Sequence, residues 1–129
     1  MLHLPLAPCR ANGYNLAWTR RAGLVVQISD IQELANRIVQ EFKPERIVLF
    51  GSYARGTAVP DSDVDLLVIL PFEGKGFWKS IEIINRVNVP FSLDLMAYRP
   101  DAVARRYAQG DPLIRDAMDH GRVLYERGC

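Results

Sequence analysis

The run DVDLLVIL, Asp63 to Leu70, sets two carboxylates at the mouth of an unbroken apolar stretch. Leucine and β-branched residues without alternation mark a strand covered on both faces, the pattern of an interior strand in an α/β sheet. A third carboxylate, Asp61, stands two residues earlier. Crowded or partly buried anions are costly unless something pairs with them. The chain must therefore build a sheet whose interior strand opens onto a charged site.

The flanking periodicities supply the rest of that sheet. Ser29 and Gln32 form a capping-box signature, and Ile31, Leu34, Ala35, Ile38, Val39 and Phe42 follow at helical spacing. Pro44 stops that helix. RIVLF, Arg46 to Phe50, is a short strand ending at Gly51. From about Lys75 to Asn88, Phe77, Trp78, Ile81, Ile84 and Val87 recur at helical spacing, which assigns both aromatics to the core. Pro90 to Tyr98 alternates strictly, with Phe91, Leu93, Leu95 and Ala97 on one face and Ser92, Asp94 and Met96 on the other. Pro100 opens a short helix, Asp111-Pro112 opens another as N-cap and N1, and Gly121 closes it. RVLYE adds a last strand. The order α-β-α-β-α-β-α-α-β predicts one α/β (α+β) sandwich with a short mixed sheet. Residues 1–26 carry no sustained period and read as a loose or disordered extension ahead of a domain spanning 27–129.

Composition narrows the function classes. With 129 residues the chain is one domain with a single core. Sixteen basic against 15 acidic residues leave a net charge of +1, giving no reason to expect direct nucleic-acid binding or a membrane surface. No apolar run reaches the roughly 18 residues of a membrane span. Cys9 and Cys129 lack C-x-x-C spacing, so no disulfide framework is expected, and the cytoplasm is the expected compartment.

The chemistry concentrates between Gly51 and Leu70. Gly51-Ser52 falls where a strand gives way to a turn and a short helix, a junction that exposes backbone N–H groups and suits phosphate. Asp63 and Asp65, two apart on a strand, point to the same side. Asp94 faces away from the apolar stripe of its own strand and joins them if the two strands are neighbours. Three oxygen-donor carboxylates suit Mg²⁺, which takes substrate phosphates among its other ligands. Competing motifs fail. An EF-hand would need glycine at Leu66 and glutamate at Phe72, a P-loop would need lysine at Thr57, and GKGFWK lacks the third glycine of a dinucleotide fingerprint.

The combined pattern G-S-x-A-R-G…S-D-x-D-L-L-V resembles the nucleotidyltransferase superfamily of DNA polymerase beta, and most of all its minimal nucleotidyltransferase (MNT) proteins. Gly51, Ser52, Ala54, Arg55, Gly56, Ser62, Asp63, Asp65 and Asp94 all fit, within a likeness running from about Ile28 to Glu126. The resemblance implies a polymerase-beta-like nucleotidyltransferase fold. It implies two Mg²⁺ ions held by Asp63 and Asp65, with Asp94 sharing one and helping to deprotonate the attacking hydroxyl. Gly51 and Ser52 would contact the β- and γ-phosphates of ATP or another nucleoside triphosphate. The reaction would move a nucleoside monophosphate onto a hydroxyl. Many MNT proteins resemble the antitoxin of a pair with an HEPN ribonuclease toxin, which makes a tyrosine of such a toxin the expected acceptor in a hetero-complex.

Plainer roles compete at several positions. Asp61 suits a turn after Pro60 better than a metal. Arg55 can assist the triphosphate or hold the turn or a carboxylate. Lys75, Lys79, His3, His120 and the segment ARRYAQ (Ala104 to Gln109) read as solvated surface. Two other functions stay open: an antitoxin that only covers its toxin, and a transferase acting on a small molecule such as an aminoglycoside.

Overall fold

The computed structural model describes residues 25–128. Readings on residues 1–24 and on Cys129, among them most of the 1–26 extension, His3, Cys9 and Cys129, lie outside these residues. Nine elements follow in order: α1 (Ile28–Phe42), β1 (Arg46–Phe50), α2 (Ser52–Arg55), β2 (Val64–Ile69), α3 (Gly76–Val87), β3 (Leu93–Tyr98), α4 (Pro100–Ala108), α5 (Pro112–His120) and β4 (Arg122–Glu126). The sheet order is β3-β2-β1-β4. β1 runs antiparallel to β2 and β4, whereas β2 and β3 are parallel, so the sheet is mixed as expected. No described helix is long and apolar enough to cross a membrane.

The unbroken apolar run of β2 is explained by its position, since it lies inside the sheet with helices over both faces. On one face Val64, Leu66 and Val68 meet Ile31, Leu34, Ile38, Ile83 and Val87 of α1 and α3. On the other, Leu67 and Ile69 meet Val103 of α4 and Ile114 and Ala117 of α5. Asp111 caps α5 by accepting from the Leu113 and Ile114 N–H groups at 3.0 and 3.3 Å. Lys43 turns left-handed before Pro44 to end α1.

Two local expectations are corrected. The capping box does not form: Gln27 is the N-cap of α1 and makes no side-chain cap bond. Gln32 instead donates to Asn36 Oδ1 and to the Leu124 carbonyl, at 3.1 and 3.2 Å, tying α1 to β4. Phe77 and Trp78 are not core residues either, being 63% and 64% exposed. Gly76 and Ser80, one turn apart, bring the first turns of α3 against β3. A Cβ on Gly76 would lie 2.5 Å from the Ala97 carbonyl oxygen, and Ser80 Oγ accepts from the Ala97 N–H at 2.9 Å. That docking turns the two rings outward, where they meet edge to face with centroids 5.0 Å apart.

The contrast is measurable. Ile83→Ala empties a fully buried site and is expected to cost about 2–5 kcal/mol in urea denaturation. Phe77→Ala should change stability by about 0.5 kcal/mol or less, and a loss as large as that of Ile83→Ala would place the ring in the core after all.

Candidate active site

Sheet register decides which carboxylates meet. The parallel pairing sets Asp65 opposite Asp94 and Val64 opposite Leu93, which carries Asp63 to the side of Ser92. The Val64 N–H donates to the Ser92 carbonyl at 3.0 Å. The Ser92 hydroxyl donates to Asp63 Oδ1. On the other flank, Phe50 pairs with Asp65, so the chain leaves β1 at Gly51 directly against that carboxylate.

Gly51 is dictated twice over. Its φ of 76° and ψ of −154° lie in a region nearly closed to other residues. A Cβ there would also overlap Asp65 Oδ2. The sequence reading assigned the glycine to close approach by a phosphate; the structure shows close approach to a carboxylate. Beyond it, the Ala54 and Arg55 N–H groups both donate to the Gly51 carbonyl at 3.1 Å, winding the single turn of α2. Tyr53 anchors that turn: its ring is buried and its hydroxyl accepts from the Val26 N–H at 2.9 Å. Val25 and Val26 also pack against the core. Ser52 is thereby held half-buried beside Gly51.

The remaining predicted residues divide. Asp61 sits in the exposed turn closed by the Ser62 N–H to the Val59 carbonyl (2.8 Å) and the Val59 N–H to Ser62 Oγ (2.9 Å), the turn role expected of it. Arg55 Nη1 lies 3.5 Å from Asp116 Oδ2 on α5, and its charge also favours ionised Asp65. His120 is exposed, 3.7 Å from Asp116 Oδ1. Lys79 is less free than expected, pairing with Glu82 at 3.0 Å and lying over the Phe42 ring.

Asp65 carries the electrostatic tension. Burial first, then the charges of Asp94 and Asp63, push its pKa from 3.8 to about 6, against the pull of Arg55. Among the described residues no three His, Cys, Asp or Glu side chains close into a metal cage. Asp63 is drawn to Ser92 while Asp65 lies beside Asp94 on the neighbouring strand, so the trio shares one end of the sheet without converging on one point. The donor set still fits a hard divalent cation: every candidate ligand is a carboxylate oxygen, and the negative charge they crowd together is of the sign a cation would offset.

Sequence reasoning missed Ser92 and Asp116. Ser92 had a usable signal, since it lies two residues before Asp94 on the same face of an alternating strand. Asp116 had none, because its meeting with Arg55 depends on how α5 packs.

Two outcomes follow from Gly51 and Asp65. Gly51→Ala is expected to destabilise by about 1–3 kcal/mol from backbone strain alone, with the Asp65 overlap added. Because the folded value of Asp65 lies above its ordinary one, its contribution to stability is full below about pH 4 and lost as pH rises through about 6. Without divalent cations, the Tm advantage of Asp65→Asn over wild type should therefore be larger near pH 8 than near pH 4. A difference independent of pH would mean that Asp65 is not perturbed.

Comparison with known proteins bears on the family and the fold. A family model described as a nucleotidyltransferase domain matches residues 31–124. A candidate protein adenylyltransferase of Methanocaldococcus jannaschii is 56% identical over 41 residues, but that match spans only 30% of this chain and 28% of the relative. A second from the same organism is 26% identical over 97 residues, covering 74% of this chain and 94% of the relative. Among solved structures, a candidate nucleotidyltransferase from Sulfolobus solfataricus aligns with a TM-score of 0.57 at 18% identity, over 78% of this chain and 80% of that one. A chain of a toxin-antitoxin structure containing AMP-PNP aligns with a TM-score of 0.52 at 19% identity, over 75% and 74%. The structural likenesses speak to the fold, and the match over residues 31–124 speaks to descent: the chain belongs to the nucleotidyltransferase domain family, a family of transferases.

Proposed function

We propose that this chain is a Mg²⁺-dependent protein adenylyltransferase and the antitoxin of an HEPN-type toxin, moving AMP from ATP onto a tyrosine hydroxyl of that partner. The observation that carries the reading is the pairing of Asp65 with Asp94 across two strands, with the Gly51-Ser52 turn pressed against the same carboxylate. Support for a protein acceptor comes from relatives named as candidate protein adenylyltransferases. Support for the toxin partner and for ATP comes from the toxin-antitoxin structure with AMP-PNP.

Asp63, Asp65 and Asp94 would hold the metal, two ions in the reading favoured here. Bound there, Mg²⁺ would lower the pKa of the attacking hydroxyl and neutralise charge on the leaving pyrophosphate. The chain's own groups do the rest. Ser52 offers its hydroxyl as a donor to a terminal phosphate oxygen, and Gly51 keeps the backbone there close to the carboxylates. Arg55, tethered by Asp116, adds positive charge on the same side. Asp94, exposed on the outermost strand, accepts the proton of the incoming hydroxyl. The acceptor oxygen then bonds to the α-phosphorus as the bond to the bridging oxygen of pyrophosphate breaks. Ser92 acts as a positioning residue by fixing Asp63.

Label transfer tests the reading. The chain, Mg²⁺, α-labelled ATP and an HEPN-type toxin should give labelled toxin. Chelation of Mg²⁺, or the double substitution Asp63→Asn with Asp65→Asn, should cut transfer more than about a hundredfold and abolish Mg²⁺-dependent nucleotide binding. If the double variant neutralises the toxin as well as wild type does, the antitoxin works by covering its partner instead.

A further inference from the structure

Among the described residues, no strand pairs with the outer edge of β3 beside the candidate site. The Val64 N–H bonds to the Ser92 carbonyl and the Leu70 N–H to the Tyr98 carbonyl, so the even-numbered residues of this strand turn their backbone toward β2. By the two-residue period, Leu93, Leu95 and Ala97 turn theirs outward. Among the described residues, the backbone bond from this edge to α3 is made at Ala97, whose N–H donates to Ser80 Oγ and whose carbonyl lies against Gly76. A groove of about 690 Å³ follows the edge between α3 and α4, and Asp94 lies in its lining.

Three features of this groove point to one kind of occupant. Its charged lining residues are Lys75, Arg99, Arg105 and Arg106 against Asp94 alone. Asp101 and Asp111 pair with the three arginines at 3.1–3.8 Å, but these pairs are solvent-exposed and yield readily to a competing carboxylate. Phe77 lines the groove and Trp78 packs against it, a pair of outward aromatics of the type that anchors protein interfaces. Finally, Gly51-Ser52 lies on the β1 side of the carboxylates and Asp94 on the β3 side, so whatever enters along this edge reaches Asp94 from the flank opposite the phosphate turn.

We propose that this groove receives the acceptor polypeptide: an extended, acidic segment of a partner protein, lying along the Leu93–Leu95 edge with an apolar side chain on Phe77, which brings its hydroxyl to Asp94. Edge-strand addition supplies backbone hydrogen bonds, and the arginines supply preference for acidic flanks. The inference rests on the reading of the chain as a protein-modifying transferase.

The test uses the full chain and a fluorescein-labelled copolymer of glutamate and tyrosine, followed by anisotropy. Wild type should bind it more tightly than a lysine–tyrosine copolymer. Phe77→Ser with Arg105→Glu, both exposed positions, should weaken binding at least about tenfold. Arg122→Glu, on the exposed far edge strand, should change it less than about twofold. Equal loss in both variants, no loss in the groove variant, or no preference for the acidic copolymer would overturn the proposal. So would equal weakening of a non-hydrolysable ATP analogue by the groove variant, which would make the groove a nucleotide surface. Copolymer bound in the groove but never labelled from α-labelled ATP would instead defeat the transferase reading and leave the polypeptide site standing.

Discussion

The contact between the bare Cα of Gly51 and the carboxylate of Asp65 is the constraint around which the site is organised. It requires a glycine in a left-handed conformation at the end of β1 and an anion at the start of β2. It also requires antiparallel register between them, which Phe50 opposite Asp65 provides. Burial of this carboxylate, and after it the charges of Asp94 and Asp63, raise its pKa to about 6. The fold thus concentrates negative charge at one end of the sheet and holds a hydroxyl and a helix turn beside it. Such crowding of like charge is costly to the fold unless a positive group offsets it.

The surrounding packing serves that constraint. Ile114 and Ala117 fix α5 under the sheet, which brings Asp116 to Arg55. Tyr53 buries the α2 turn against Val26 and the α1 side of the core. Ser92 couples the mouth of β2 to β3 through its backbone and its hydroxyl together, holding Asp63 apart from the Asp65–Asp94 pair.

Much of this was legible in the residues. Hydrophobic periodicity located all four strands, and β1 and β4 begin and end where RIVLF and RVLYE do. The motif from Gly51 to Leu70 identified the family. Alternation in β3 put Asp94 on the correct face, but its meeting with Asp65 depends on strand order and parallel register, which no local pattern encodes. The same limit explains the errors. Gln32 left its capping role because the Leu124 carbonyl, distant in sequence, lies within reach. Phe77 and Trp78 matched a helical stripe, yet Gly76 and Ser80 decide which side of α3 meets the sheet.

The central claim is that the crowded carboxylates exist to hold a divalent cation with a nucleoside triphosphate. Binding of Mn²⁺, followed by electron paramagnetic resonance with and without a non-hydrolysable ATP analogue, tests it most directly. The account predicts that the analogue tightens Mn²⁺ binding and that Asp65→Asn removes most of that gain. Mn²⁺ binding unaffected by the analogue, or unchanged in Asp65→Asn, would contradict it.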